Sequence, residues 1–183
     1  MKIAELFEAA PTQSIWYHGS NSKIQEFALS NVSNPDATHQ EGPGIYLTSS
    51  AEDAGKYGKY IHVLKVKLAK SRTMPDERFI SPQFIRGLIT KAPDVDDNLT
   101  NYAENRVTAI RLAVEQIMDA YGPKDYRKAL EQVWRDHYYG EEQEWLSRMR
   151  SVGVDGFIVK RPEVNHLICF NPKILMIQEV YER

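Results

Sequence analysis

The chain predicts an α+β fold with a mainly antiparallel sheet and a helical stretch set before its C-terminal strands. Three observations carry this. The broad order is strands, then helices, then strands, rather than the regular alternation of a doubly wound parallel sheet. Within Tyr60 to Leu68, the residues His62, Leu64, Val66 and Leu68 fall on one face of a strand. In the middle, Val107, Ile110, Val114, Ile117 and Tyr121 repeat at helical spacing and stop at Gly122-Pro123. The 183 residues suit one domain over 1–183, with about 71–150 as a mainly helical insertion.

The elements follow in order. Ile3, Leu6 and Phe7 read as a short amphipathic helix within Met1 to Ala10, a segment without the apolar block of a secretory signal. Ser14 to Tyr17 reads as a short strand whose polar end is His18-Gly19-Ser20. Asn21 to Gly44 is rich in Ser, Asn, Asp, Pro and Gly and reads as a long loop with a little helix. Gly44 to Leu47 is a strand and Ser50 to Tyr57 a helix. Ser49 or Ser50 caps that helix, and Glu52 and Asp53 lie in its first turn, where the dipole favours carboxylates.

Beyond the strand Tyr60 to Leu68, residues 71–98 read as irregular, with a short helix around Phe84 to Ile89. Asn101 with Glu104 marks a capping-box start for the first long helix. Tyr126, Leu130, Val133 and Trp134 mark a second helix. Trp145, Leu146 and Met149 mark a third, ending before Gly153. These aromatic stripes read as core packing. Gly156 to Val159, His166 to Phe170 and Ile174 to Tyr181 are three β-rich runs, with Asn171-Pro172 as a turn.

Composition narrows the function classes. Hydrophobic residues are 42% and charged residues 26%, ordinary globular values. A net charge of −2 argues against a general nucleic-acid binder. The basic run of Lys56, Lys59, Lys65, Lys67, Lys70 and Arg72 reads as a solvated strand face. No apolar run approaches the ~20 residues of a membrane span. The single cysteine, Cys169, excludes an internal disulfide and lies in an apolar strand, as a buried thiol would. These features fit a reducing cytoplasm, a host's included, and no membrane partner.

Familiar site motifs are absent. There is no phosphate loop, no Gly-x-Gly-x-x-Gly fingerprint and no His-Glu-x-x-His helix, and the five histidines are scattered, so no metal is expected. No nucleophile-elbow pattern flags a serine. What stands out is a pair of segments, Trp16-Tyr17-His18-Gly19-Ser20 and Gly42-Pro43-Gly44-Ile45-Tyr46-Leu47-Thr48, followed by Tyr57. A histidine for a sugar hydroxyl, a bare glycine backbone and two aromatic planes suit an amide-bearing ring on a ribose. The nicotinamide end of NAD fits that description.

With these residues the chain resembles the ADP-ribosyltransferase superfamily, in the His-Tyr-Glu branch of diphtheria-toxin-like toxins and poly-ADP-ribose polymerases. Tyr17-His18-Gly19-Ser20 is similar to the family's Tyr-His-Gly-Ser/Thr, and Gly42-Pro43-Gly44-Ile45-Tyr46-Leu47 to its Gly-x-Gly-Ile-Tyr-Phe. The spacing of Tyr46 and Tyr57 is that of the family's two stacking tyrosines. Asp155-Gly156-Phe157-Ile158-Val159 and Phe170-Asn171-Pro172-Lys173-Ile174 are similar to the closing strands of bacterial and phage-encoded members. The resemblance covers both ends of the chain and leaves out the helical middle.

It implies a split antiparallel sheet and NAD as substrate. His18 would bond ribose hydroxyls, and Gly19 would present its backbone to the carboxamide. Tyr46 and Tyr57 would sandwich the nicotinamide ring, with Ser20, Gly44, Thr48 and Ser49 along the wall. The implied activity is mono-ADP-ribosyl transfer from NAD to a macromolecule, a host protein or nucleic acid, as toxins and phage effectors perform it.

The third motif departs from the family. Aligning its closing turn on Phe170-Asn171-Pro172 puts His166 where the family carries Glu, with Asn165 one residue before and Glu163 three before. Ala54 replaces the small hydroxyl residue often found between the stacking tyrosines. Three readings stay open. Glu163 swings in from the loop after Pro162, His166 or Asn165 supports mono-transfer or an altered chemistry, or the module binds NAD, ADP-ribose or a related nucleotide without catalysis. Polymer synthesis, which depends on that Glu in the family, is not expected. RNA 2'-phosphotransfer on the same fold would call on Arg72, Arg78 and Arg86.

Overall fold

The computed structural model describes residues 14–31, 42–68, 73–75, 81–93, 103–122 and 125–183. The expected helix within Met1 to Ala10 and the capping residue Asn101 lie outside the described residues, as do Arg72 and Arg78. The chain divides into two compact units. One is drawn from Met1–Leu29, Gly44–Pro75 and Gly153–Arg183, the other from Ser30–Pro43 and Asp76–Val152.

The first unit is built on a seven-stranded sheet. Its strands are β1 (Ser14–Ser20), β2 (Ile45–Thr48), β3 (Tyr60–Val66), β4 (Thr73–Pro75), β5 (Gly156–Lys160), β6 (Asn165–Cys169) and β7 (Leu175–Glu182), in the order β4-β5-β6-β2-β1-β3-β7. Every pairing is antiparallel except β4 with β5. The mainly antiparallel α+β architecture is therefore as expected. The edge strand β4 was not, because three residues are too few to show a period.

Alternation sets the core. Trp16 faces Leu64, Ile45 faces Cys169 and Leu47 faces Leu167 across the ladders, and all six side chains are buried. Leu64 and Leu167 are fully removed from water, each contributing roughly 1.5–3 kcal/mol of burial free energy. Burial pushes the Cys169 thiol up to about 12, so it stays protonated and inert. The helix read at Ser50 to Tyr57 is one turn, α1 (Ala51–Ala54), and Ser50 caps it by accepting from the Asp53 amide at 3.3 Å. A Cβ on Gly19 would lie 1.8 Å from the Ala54 carbonyl oxygen, so only glycine lets β1 pass this close beneath α1.

The second unit is helical. It holds α2 (Pro82–Ile89), α3 (Arg106–Ala120), α4 (Tyr126–His137) and α5 (Glu142–Ser151). Helix α3 starts later than the capping-box reading placed it. Asn105 is its N-cap, accepting from the Thr108 amide at 3.0 Å, and Glu104 precedes the helix. Val107, expected on the buried stripe, is 74% exposed, and Ala109 and Ala113 complete the stripe with Ile110, Val114 and Ile117. The aromatic residues pack as expected. Tyr138 lies edge-on to Trp145 at 5.3 Å, Trp134 is 6.1 Å from Trp145, and the Tyr138 hydroxyl donates to the Leu88 carbonyl at 2.7 Å. No described helix is long and apolar enough to cross a membrane.

Candidate functional site

The sheet is split at its centre. Strand β1 pairs with β3 along its whole length, from Ser14↔Val66 to Ser20↔Tyr60, but with β2 only at Tyr17↔Thr48. Past that pair the ladder ends, and His18–Ser20 and Ile45–Leu47 face one another without strand pairing. The His18 ring spans the opening, its Nδ1 2.8 Å from the Tyr46 carbonyl oxygen. A carbonyl only accepts, so Nδ1 carries the proton and Nε2 keeps a lone pair. That Nε2 has no partner among the described residues.

A small cluster holds His18 in place. The Phe27 ring stands edge-on to it at 5.0 Å, and the His62 ring lies 5.8 Å away. His62 is fully buried and its tautomer is fixed. Its Nε2 accepts the Ile24 amide at 2.8 Å, so its proton is on Nδ1, which donates to the His18 carbonyl at 3.2 Å. Burial lowers the pKa of His18 despite the Tyr46 bond, and lowers that of His62 likewise, so both rings are neutral at pH 7. Ile24 and Phe27 belong to the segment following β1, which these contacts pin over the histidine pair.

The other motif residues surround the same opening. Tyr46 is half-buried on β2, and Gly44 precedes it against Ile168 of β6. Tyr57 follows α1 and is 61% exposed, with its Cβ 3.2 Å from the position a Gly19 Cβ would take. Ala54 is fully buried with its carbonyl turned onto Gly19, so it offers no group to the opening. Ser20 ends β1, and its hydroxyl accepts the Ser22 amide at 3.1 Å.

The third-motif candidates separate. His166 stands directly opposite Thr48 in the β2–β6 ladder, and its Nε2 is 3.1 Å from Asp53 Oδ2. Asp53, only 8% exposed, also takes a bond from Lys56 Nζ at 3.0 Å on Oδ1. Burial alone would raise the Asp53 pKa. Hydrogen bonds from Lys56, Thr48 and His166 outweigh that and hold the carboxyl below its ordinary range. Asn165 is exposed, and its backbone is tied to Ser49, whose hydroxyl accepts the Asn165 amide at 2.9 Å. Glu163 is exposed in the turn between β5 and β6 and has no partner among the described residues. The carboxylate that reaches His166 is Asp53. Arg86 belongs to α2 of the helical unit.

Three participants escaped the sequence reading. Asp53 reads there as an ordinary first-turn carboxylate, and nothing in its neighbours points to β6. His62 had a visible sign, a titratable ring among Leu64 and Val66 on an otherwise apolar face. Phe27 had none. Among the described residues no group of three or more His, Cys, Asp or Glu side chains is placed to hold a metal ion.

No family model and no curated protein matches the chain. A solved structure described as "Crystal structure of an anti-CRISPR protein" is similar over 92% of this chain and 94% of its own, at 15% identity and a TM-score of 0.41. A likeness at that level decides neither fold nor activity.

Proposed function

We propose that the chain is a mono-ADP-ribosyltransferase on an ADP-ribosyltransferase-like split sheet, cleaving NAD at the nicotinamide–ribose bond and transferring ADP-ribose to a macromolecular acceptor. The observation that carries this reading is the split itself. The β1–β2 ladder stops at one pair, and His18, Gly19, Tyr46, Thr48 and Tyr57 gather at the place where it opens. Scattered motif residues would not need to meet there. A flat ring entering the opening finds an unpaired strand edge for its carboxamide and two aromatic faces, one of them well exposed. His18 Nε2 is left as an acceptor for a ribose hydroxyl.

In this reading the C1'–N bond of NAD breaks with its electron pair going to nicotinamide, which leaves neutral. An acceptor lone pair then bonds to C1', and the proton on the acceptor passes to solvent. The chain's contribution is orientation of the ring and ribose and stabilisation of the positive charge at C1'. The test is nicotinamide release from NAD by purified protein, with and without a cell lysate as acceptor source. Release that His18→Ala and Tyr46→Ala abolish supports the transferase.

One observation favours a second reading, a binding module. No carboxylate occupies the third-motif position, and Glu163 stands away from it in an exposed turn. A protein of that kind melts at higher temperature with NAD or ADP-ribose and releases no nicotinamide.

A further inference from the structure

We propose that Asp53 and His166 together replace the missing third-motif carboxylate, with Asp53 holding the His166 ring so that its Nδ1 accepts a hydrogen bond from the 2'-hydroxyl of the transferred ribose. This rests on the NAD-cleaving reading above.

The pair is built into the fold. The Asp53 carboxylate, on α1, is buried and reached by groups from three directions: Lys56 on Oδ1, His166 on Oδ2, and the Thr48 hydroxyl from β2. The ionised Asp53 carboxylate can only accept, so His166 donates to it from Nε2, and in the neutral ring this leaves the lone pair on Nδ1. Nδ1 has no partner among the described residues. The His166 side chain is 13% exposed, so part of the ring meets solvent. By register, His166 shares its sheet face with Thr48 and with Ile168, which stands opposite Tyr46. The acceptor therefore lies on the face that carries Tyr46, two pairs along the ladder.

The chemistry is that of a backed imidazole. A neutral ring alone brings no negative charge to an oxocarbenium-like ribose. With Asp53 behind it, the ring passes part of the carboxylate charge to Nδ1 through the Nε2–H bond. As the C1'–N pair leaves with nicotinamide, the 2'-hydroxyl becomes a stronger donor and the whole chain of bonds tightens. No proton leaves the pair in that step. Lys56 is mostly exposed and serves to fix the carboxylate, with its own charge screened by water. His166 is thus the group that touches substrate, and Asp53 positions it.

The test compares nicotinamide release from NAD and from 2'-deoxy-NAD by the wild type, His166→Ala, Asp53→Asn and Asp53→Glu. On NAD, His166→Ala lowers kcat at least about a hundredfold with little change in KM. On 2'-deoxy-NAD, which lacks the hydroxyl, the same substitution has little effect. Asp53→Asn follows the same substrate pattern with a smaller loss, at least about tenfold on NAD. Nitrogen NMR of the His166 ring then reports the proton on Nε2 in the wild type and a loss of that preference in Asp53→Asn. If Asp53→Asn does not fold, Asp53→Glu must show the substrate-dependent loss instead. Equal losses on both substrates overturn the proposal and make the pair a base for the acceptor. A wild type that releases nicotinamide from neither substrate removes the NAD-cleaving reading itself, and the proposal with it.

Discussion

Single residues at the split make separable predictions. Gly19→Ala drives a methyl group into the Ala54 carbonyl, a backbone atom that cannot rotate away. It is expected to destabilise the fold by about 1–3 kcal/mol or more, read as a lower urea midpoint. Tyr57→Ala removes an exposed ring and is expected to leave that midpoint nearly unchanged; if the proposed transferase reading holds, it also weakens NAD binding measured by calorimetry. His166→Ala is expected to cost far more nicotinamide release than Glu163→Ala, because only His166 lies in the β2–β6 ladder beside a carboxylate. Equal losses would return Glu163 to the site. The residues that meet at the split are legible in the sequence, since His18-Gly19 lies on β1 and Gly44 leads directly into Ile45-Tyr46 of β2. Asp53 is not legible, because its meaning arises only when β6 brings His166 across to it, 113 residues along the chain.

At the scale of elements, the segment after β1 is governed by His62. Its Nε2 must stay unprotonated to accept the Ile24 amide. The folded pKa values of His62 and His18 lie below the ordinary 6.5, so on acidification the unfolded chain takes up protons first. Stability is therefore full above about pH 6.5 and declines as pH falls toward the lowered folded values. Asp53 works in a lower window, losing its contribution only as pH falls below 3.8 toward its depressed value. Melting scans between pH 7 and 5 should fall, and His62→Gln should flatten part of that slope. Cleavage by a protease after Lys23 or Phe27 should quicken over the same range. The elements themselves were largely readable, because β3, α3, α4 and α5 carry strong periods. The start of α3 was misplaced because Asn101 and Asn105 are both competent caps, and which one acts is settled by where the helix packs.

At the scale of the molecule, the division into a sheet unit and a helical unit follows the change of period along the chain, from two to 3.6 and back. The strand order does not, since no local signal says that β6 inserts beside β2 or that β7 closes the far edge. That order has a mechanical consequence. Strands β4, β5, β6 and β2 form one continuous half, and β1, β3 and β7 another, joined by the rung Tyr17↔Thr48, the His18–Tyr46 bond and α1, which meets Gly19 on one side and His166 on the other. Two plates joined at so few points are expected to shift against one another as bodies rather than to fray strand by strand. A molecule lodged between them acts as a wedge and a brace at once, setting their separation and damping their swing. Hydrogen exchange should register this far from the wedge itself, as slower exchange at amides of both plates when NAD is added.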